Sequence, residues 1–330
     1  MLLTLSDARQ LVIDTLLRNN VSADNAASVA TALIAAEASG QGGHGFRRIE
    51  AYATQARNGK VDGQVKPTFT RPAPGILAID AAHGYAYPAI DIAVAELPEM
   101  ARTQGIAMAT IRRSHHAGVM GLTVERFAQQ GLLAIMTANA PAAMAPWGGL
   151  RPMYGTNPLA FAAPVLGKDP IVVDMALSKV ARGKIMAARQ KGADIPEGWA
   201  LDRNGQPTTN SSEAMEGTMI PTGDAKGAAL ALMVEILSAG LSAAHFSHEA
   251  TSLFDDKGAP PALGHTIIVI DPRNTAPGFD PLERIRYLAE EIAQDPNVRL
   301  PGRRGQATRA KAAAEGIEVD DDVIALVKSL

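Results

Sequence analysis

Cysteine is absent from the 330 residues of the chain, which excludes disulfide bonds, thiolate catalysis and cysteine-ligated zinc. Long apolar runs are missing too: none approaches the ~20 residues of a membrane-spanning helix. Residues 1–7 lack the basic and apolar regions of a signal peptide, so a cytoplasmic location is expected. A net charge of -3 provides no excess of positive charge for nucleic acid or for an anionic membrane surface. The sequence holds no G-x-S-x-G nucleophile elbow, no Walker lysine motif, no internal repeat and no low-complexity tract. What is there is the make-up of an ordinary folded protein, 47% hydrophobic and 20% charged. The length fits two modest domains or one large domain with a subdomain.

Patterning along the chain predicts an α/β architecture. Residues 4–7 can cap a first helix, in which Leu11, Val12, Thr15, Leu16 and Leu17 recur at helical spacing. Ser22 or Asp24 can cap a second, Ala-rich helix that ends near Gly40, and 47–58 reads as a third. From Ile76 onward short apolar runs at 76–80, 106–111, 132–137, 159–163, 171–174 and 265–271 read as strands. Helical patterns at 90–101, 123–130, 180–191 and 227–241 fall between them. Residues 112–121 read as a loop, 194–212 as a polar, turn-rich stretch, and 300–305 as a turn between a helix and a short terminal helix. Strands alternating with helices predict a sheet with helices layered on it.

The densest chemistry lies at 40–48, Gly-Gln-Gly-Gly-His-Gly-Phe-Arg-Arg. Gly40, Gly42 and Gly45 spell G-x-G-x-x-G, yet a dinucleotide turn needs a buried strand before it and a helix start after it. The preceding residues are helical in pattern, so these glycines end a helix and the dinucleotide reading is rejected. With a helix beginning after Gly43, His44 and Arg48 stand four apart on one face, at a corner where the incoming helix can turn N–H groups to an anion. An imidazole moves a proton near neutrality and a guanidinium forks onto a carboxylate. Such a pair suits an oxidoreductase acting on a carboxylate-bearing hydroxy, keto or imino compound. The plainer reading, a histidine bonded to a helix end and a solvated arginine, fits the same residues.

Other constellations are weaker. Ser114-His115-His116 with Gly118 and Gly121 follows a buried strand, where open α/β sheets bind ligands; one histidine reads as structural and His116 as a second proton-handling group. Thr156 sits in a Gly-Thr-Asn-Pro turn whose donors could hold a carboxylate or phosphate. Asp174 closes an apolar strand, placed to bind ribose hydroxyls or to cap the next helix. Asp224, Lys226 and Gly227 open the most apolar helix, combining a helix N-terminus with a cation. Arg299, Arg303 and Arg304 crowd one turn. His245-x-x-His248-Glu249 lacks zincin spacing and a third ligand, so no metal is expected.

Taken in order, these segments resemble the type-2 malate/L-lactate dehydrogenase family, closest to its sulfolactate-dehydrogenase-like branch. The resemblance covers nearly the whole chain. It rests on His44-Gly-x-x-Arg48, Ser114-His-His116, Gly155-Thr-Asn-Pro158, Asp174-Met-Ala-Leu-Ser178, Ala181-Arg-Gly183, Gly198-Trp-Ala-Leu-Asp202 and Gly223-Asp-Ala-Lys-Gly227. It implies a mixed sheet flanked by helices, a non-Rossmann NAD(P)-binding fold with a small helical N-terminal subdomain, and a homodimer. The implied division is a helical unit at 10–59, a core at 60–119 with 305–330, and a cofactor-binding unit at 120–304. His44 would be catalytic, with His116 as a second candidate, and Arg48, Thr156 and Ser178 would touch substrate. His116, Ala117, Gly118, Val119, Met120, Asp174, Met175, Ala176, Asp224, Lys226, Gly227, Arg303 and Arg304 would surround NAD or NADP. The implied reaction is hydride transfer between nicotinamide and C2 of a small 2-hydroxy/2-oxo acid. Reduction of a cyclic 2-imino acid, or cofactor binding without activity, are the alternatives. The chain departs from the family pattern at Gly43, where serine usually precedes the histidine, and at Lys184, where the imine-reductase branch is expected to carry an acid.

Overall fold

The computed structural model describes every residue, Met1–Leu330. After a two-residue strand β1 (Leu2–Leu3), helix α1 (Leu5–Arg18) starts where Thr4 accepts a hydrogen bond from the Asp7 N–H at 3.1 Å. Helix α2 (Ala23–Ala38) is capped by Ser22, not Asp24, and ends before Gly40 turns into the left-handed region at φ +75°. Two short 3₁₀ turns lead into α3 (Ile49–Arg57). The strand–helix alternation then begins with β2 (Thr68–Ala73), β3 (Ile76–Asp80), α4 (Ala86–Gln104) and β4 (Ile106–Ser114). It continues through α5 (Met120–Ala128), β5 (Leu133–Ala138), β6 (Leu159–Val165) and β7 (Lys168–Met175). A smaller lobe follows: α6 (Arg182–Gln190), β8 (Ala200–Leu201), β9 (Pro207–Thr208), α7 (Ser211–Glu216), β10 (Thr218–Met219) and α8 (Ala225–Glu235). The chain returns through β11 (Leu263–Ile270), α9 (Pro281–Ala293), α10 (Arg303–Glu315), β12 (Ile317–Glu318) and α11 (Asp321–Ser329).

Seven strands form one mixed sheet in the order β2-β3-β4-β11-β5-β6-β7. Only β3 and β4 pair in parallel, joined by the α4 crossover, and every other neighbour is antiparallel. The late strand β11 slots between β4 and β5, which explains its nearly uninterrupted burial. Small buried residues at Ala134, Ala160 and Ala162 give α5 a shallow surface on which to lie. One core of 48 buried residues joins the N-terminal helices to this sheet, and a second core of 11 lies under the small three-stranded sheet β10-β8-β9. The boundary expected at residue 119 runs along the large sheet, since β4 before it and β5 after it both pair with β11.

Several element limits differ from the sequence reading. Strand β2 was not anticipated: it is exposed throughout and contains Pro72, so it carries no burial alternation and can only be an edge. Strand β4 extends past Ile111 through Ser114, which shortens the expected loop. Helix α4 begins four residues early and α5 three. Arg303 and Arg304 belong to the first turn of α10, not to a turn before it, because Gly302 at φ +91° already closes the bend. The helix expected to run to Leu241 ends as α at Glu235 and continues as a π turn, Ile236–Gly240.

Candidate active site

The ends of β3, β4, β5 and β7 and the starts of β6 and β11 all lie at the same edge of the sheet. His44 reaches that edge from a corner built by Glu37 on α2. The Glu37 carboxylate accepts a hydrogen bond from the Phe46 N–H at 2.8 Å, and Phe46 is buried beneath it. One N–H expected to face an anion is therefore already satisfied by protein. Burial pushes the Glu37 pKa up, and the Phe46 N–H opposes that shift. Residues 42–48 form two 3₁₀ turns broken at Gly45, not one α-helix. A Cβ on Gly45 would lie 2.1 Å from a Glu37 oxygen and 3.1 Å from the Glu37 Cα. Gly45→Ala is therefore expected to destabilise the protein by ~1–3 kcal/mol, as other overpacked sites do, and to lower turnover by displacing His44. Denaturant midpoints and kcat check this; an unchanged midpoint would show that the corner yields freely.

The imidazole of His44 stacks on that of His116, with ring centres 5.1 Å apart and planes 12° from parallel. His116 is fixed in turn by Tyr52, whose hydroxyl lies 2.8 Å from Nδ1 and 3.3 Å from the Tyr87 hydroxyl. Tyr87 donating to Tyr52, and Tyr52 to His116, satisfies both phenols and leaves the His116 proton on Nε2. Burial holds both phenols protonated, Tyr87 at about 12. A third phenol, Tyr85, donates to the Tyr52 carbonyl at 2.9 Å. Burial, then the nearby Arg48 charge, lowers the His44 pKa to about 4, and the same causes push His116 well below its ordinary value. His115 is the structural histidine of the pair: it is buried edge-on against Tyr52 and Tyr85, and its carbonyl meets His265 Nε2 at 3.1 Å. None of the three tyrosines was singled out from sequence.

Arg48 folds back so that its Nε donates to the Gly43 carbonyl at 3.1 Å, while its guanidinium lies 4.9 Å over the Phe254 ring. Its terminal amino groups make no hydrogen bond to protein and remain able to fork onto a carboxylate. A Cβ on Gly43 would meet nothing within 4 Å, and His44 Nδ1 is buried without a partner. The stack on His116 and the Gly43–Arg48 bond thus orient this histidine, with no hydroxyl at position 43.

Most of the remaining sequence candidates gather around the end of β7, whereas Arg303 and Arg304 lie beside its first half. Asp174 accepts from the Gly121 N–H at 2.7 Å, which brings the 116–121 loop against it. Although Asp174 has exposed outer atoms, its carboxyl group is crowded enough that desolvation raises its pKa. Ala117 and Val119 in the loop and Met120 at the start of α5 are buried, so they can offer a ligand backbone but little side chain. A Cβ on Gly118 would fall 2.3 Å from the Tyr87 hydroxyl. Met175 is exposed and Ala176 half-buried at the strand's end. The Thr156 carbonyl accepts from the Leu177 N–H at 2.8 Å. Ser178 is buried with its hydroxyl donated to the Val180 carbonyl at 2.7 Å, leaving it only as an acceptor. It bridges to Pro221, just before Asp224, Lys226 and Gly227 at the start of α8. Arg303 pairs with Asp169 at 3.1 Å, while Arg304 is exposed with no carboxylate partner. His248 stacks on Phe246, and no three histidine, aspartate or glutamate side chains converge as a metal-ligand set.

Two features fit a dinucleotide. A Cβ on Gly227 would lie 1.8 Å from the Thr222 carbonyl, and one on Gly302 would lie 2.9 Å from Val172. The first turns of α8 and α10 are thereby held at close-packed, glycine-only bends beside Lys226 and Arg304, cations free of acidic partners. Helix N-termini with adjacent cations are the donor chemistry that phosphates require.

The model of the malate/L-lactate dehydrogenase family matches residues 3–328. A (2R)-3-sulfolactate dehydrogenase (NADP(+)) of Chromohalobacter salexigens is 46% identical over 325 residues, 98% of this chain and 96% of that one. A Delta(1)-pyrroline-2-carboxylate/Delta(1)-piperideine-2-carboxylate reductase of Pseudomonas putida is 40% identical over 300 residues, 89% and 86% of the two chains. Among solved structures, delta1-piperideine-2-carboxylate reductase from Pseudomonas syringae superposes with a TM-score of 0.94 at 34% identity, over 100% of this chain and 99% of that one.

Proposed function

Because the chain belongs to the malate/L-lactate dehydrogenase family, and is thus an oxidoreductase using a nicotinamide cofactor, we propose that it interconverts a small 2-hydroxy acid of the malate, lactate or sulfolactate type and the 2-oxo acid. The observation that carries this reading is the pairing of a neutral imidazole, His44, with a guanidinium, Arg48, whose terminal nitrogens are uncommitted. Arg48 grips the substrate carboxylate and His44 takes the hydroxyl proton as C2 is oxidised. A nicotinamide cofactor, when bound, would supply the hydride chemistry for both directions. Lys226, Arg304 and the first turns of α8 and α10 would hold the phosphates, and the 116–121 stretch and residues 174–176 would line other parts of the cofactor. The cofactor-binding unit is residues 120–304, set against the core at 60–119 with 305–330 and the helical unit at 10–59.

The protein acts in the cytoplasm as a homodimer on this reading. No helix is long and apolar enough to cross a membrane. The outer face of β5, β6 and β11 carries an apolar groove of about 340 Å³ lined by Ile135, Leu159, Phe161, Met233, Leu237 and Ile268, a surface that a second copy would cover. Reduction of a cyclic 2-imino acid is the second reading, favoured by the 40% identical reductase. Against it, position 184 is an exposed lysine in the first turn of α6 where an acid was expected.

A panel of malate, lactate, (2R)-3-sulfolactate and cyclic imino acids, each run with NAD and NADP in both directions, tests the assignment. Turnover of a hydroxy acid is expected to exceed that of any imine. The reverse order would replace the assignment, and binding of cofactor without any turnover would reduce the protein to a cofactor-binding relative.

A further inference from the structure

Lys60 is the only lysine or arginine among the buried residues, at 1% exposure. It lies just past α3, and its ammonium donates to the Asp255 carbonyl at 3.0 Å and to the Asp255 carboxylate at 3.1 Å. Gln55, also fully buried, donates to the same carbonyl at 2.8 Å, and Asn58 donates to the Asp256 carboxylate. Three side chains from the end of α3 and just beyond it therefore seize two consecutive residues nearly 200 positions later in the chain. Burying an ammonium is unfavourable unless it is paired and hydrogen-bonded, so this anchor is a specific one.

The residue it anchors next to is Phe254. Leu253 is buried on one side, Asp255 is clamped on the other, and the Phe254 N–H is tied to Ser252 Oγ at 3.1 Å. The phenyl ring, partly open to solvent, is left facing the Arg48 guanidinium at 4.9 Å. Arg48 makes one hydrogen bond to protein, through Nε to the Gly43 carbonyl. A long side chain with one hydrogen bond keeps much of its rotamer freedom, and an aromatic face removes part of it before any ligand arrives.

We propose that Phe254, presented on a loop pinned to α3 by Lys60, Gln55 and Asn58, is a positioning residue that preorganises Arg48 for the substrate carboxylate. It touches the guanidinium rather than the reacting atoms, so its contribution falls on substrate binding. The inference rests on the assignment of Arg48 as the carboxylate clamp.

The test is steady-state kinetics on the full-length protein, using whichever of malate, lactate and (2R)-3-sulfolactate is turned over fastest. Phe254→Ala is expected to raise the KM for the acid about three- to thirtyfold, the range of a cation–π contact between exposed and desolvated limits. Cofactor KM and the unfolding midpoint should stay in place, and Phe254→Tyr should restore the acid's KM. In an Arg48→Gln background the same alanine substitution should change little, because the group it positions is gone. An unchanged KM, a full effect persisting in that background, or parallel losses in cofactor KM and unfolding midpoint would each overturn the proposal. If Arg48→Gln alone leaves the acid's KM unaltered, the failure lies in the clamp assignment and the positioning role falls with it.

Discussion

His44→Ala is expected to lower kcat by about 10²–10⁴-fold, the usual contribution of a general acid–base group, while the Kd for reduced cofactor stays nearly constant. The side chain stands on the corner made by Glu37, Gly45 and Phe46, a different element from the two helix starts assigned to phosphate binding. Stacking on His116 gives the imidazole one defined plane, and an alanine leaves His116 still held by Tyr52. The loss should therefore be confined to chemistry. Turnover that survives the substitution would sink the assignment and move attention to His116.

The pH profile should carry the same signature. Burial and the Arg48 charge hold the His44 pKa at about 4, so in the free enzyme the neutral base persists far below the ordinary 6.5. The acid limb of kcat/KM for hydroxy-acid oxidation should accordingly lie near 4 rather than 6.5. Once a substrate carboxylate neutralises Arg48, one of the two causes of the depression disappears. The pKa governing kcat should then sit above the one governing kcat/KM. Equal values in the two profiles would mean that the carboxylate does not bind beside His44.

How much of this was legible in the sequence follows from the range of each interaction. The strands at 106–111, 132–137 and 265–271 announced themselves because central strands are apolar on both faces. That β11 pairs between β4 and β5 was not, since strand order depends on contacts more than a hundred residues apart. The false dinucleotide fingerprint was rejected on the helical pattern before it, and α2 does precede it. His44 and Arg48 were found through their four-residue spacing, but the link between them is different from the one assumed. Gly45 breaks the helix, and the Gly43 carbonyl joins the two residues instead. No local pattern marks Glu37, Tyr52, Tyr85 or Tyr87 as site residues. Tertiary packing alone brings Tyr52 to His116, with Tyr87 bonded to Tyr52 and Tyr85 edge-on to His115. Lys60 and Asp255, 195 residues apart, share no local pattern at all.

Arg48→Lys is expected to raise the KM for the acid about ten- to a hundredfold, since a hydrogen bond to a charged group is worth ~1.5–3 kcal/mol and an ammonium cannot reproduce a fork. The charge survives this change, so long-range attraction of the anion is retained and the effect isolates geometry. The structure gives three reasons for the arginine to be irreplaceable. Its Nε is spent on the Gly43 carbonyl at 3.1 Å, its face is spent on Phe254 at 4.9 Å, and its terminal nitrogens are left for substrate. A lysine has one nitrogen to divide among those duties. Losing the Nε contact would also loosen the Gly43 carbonyl and, through it, the turn that carries His44. A smaller fall in kcat should therefore accompany the rise in KM, by way of the misplaced base. Should KM stay fixed while kcat alone drops, Arg48 would be a support for the His44 turn rather than a substrate ligand, and the carboxylate would have to be sought by Thr156 at the same edge of the sheet.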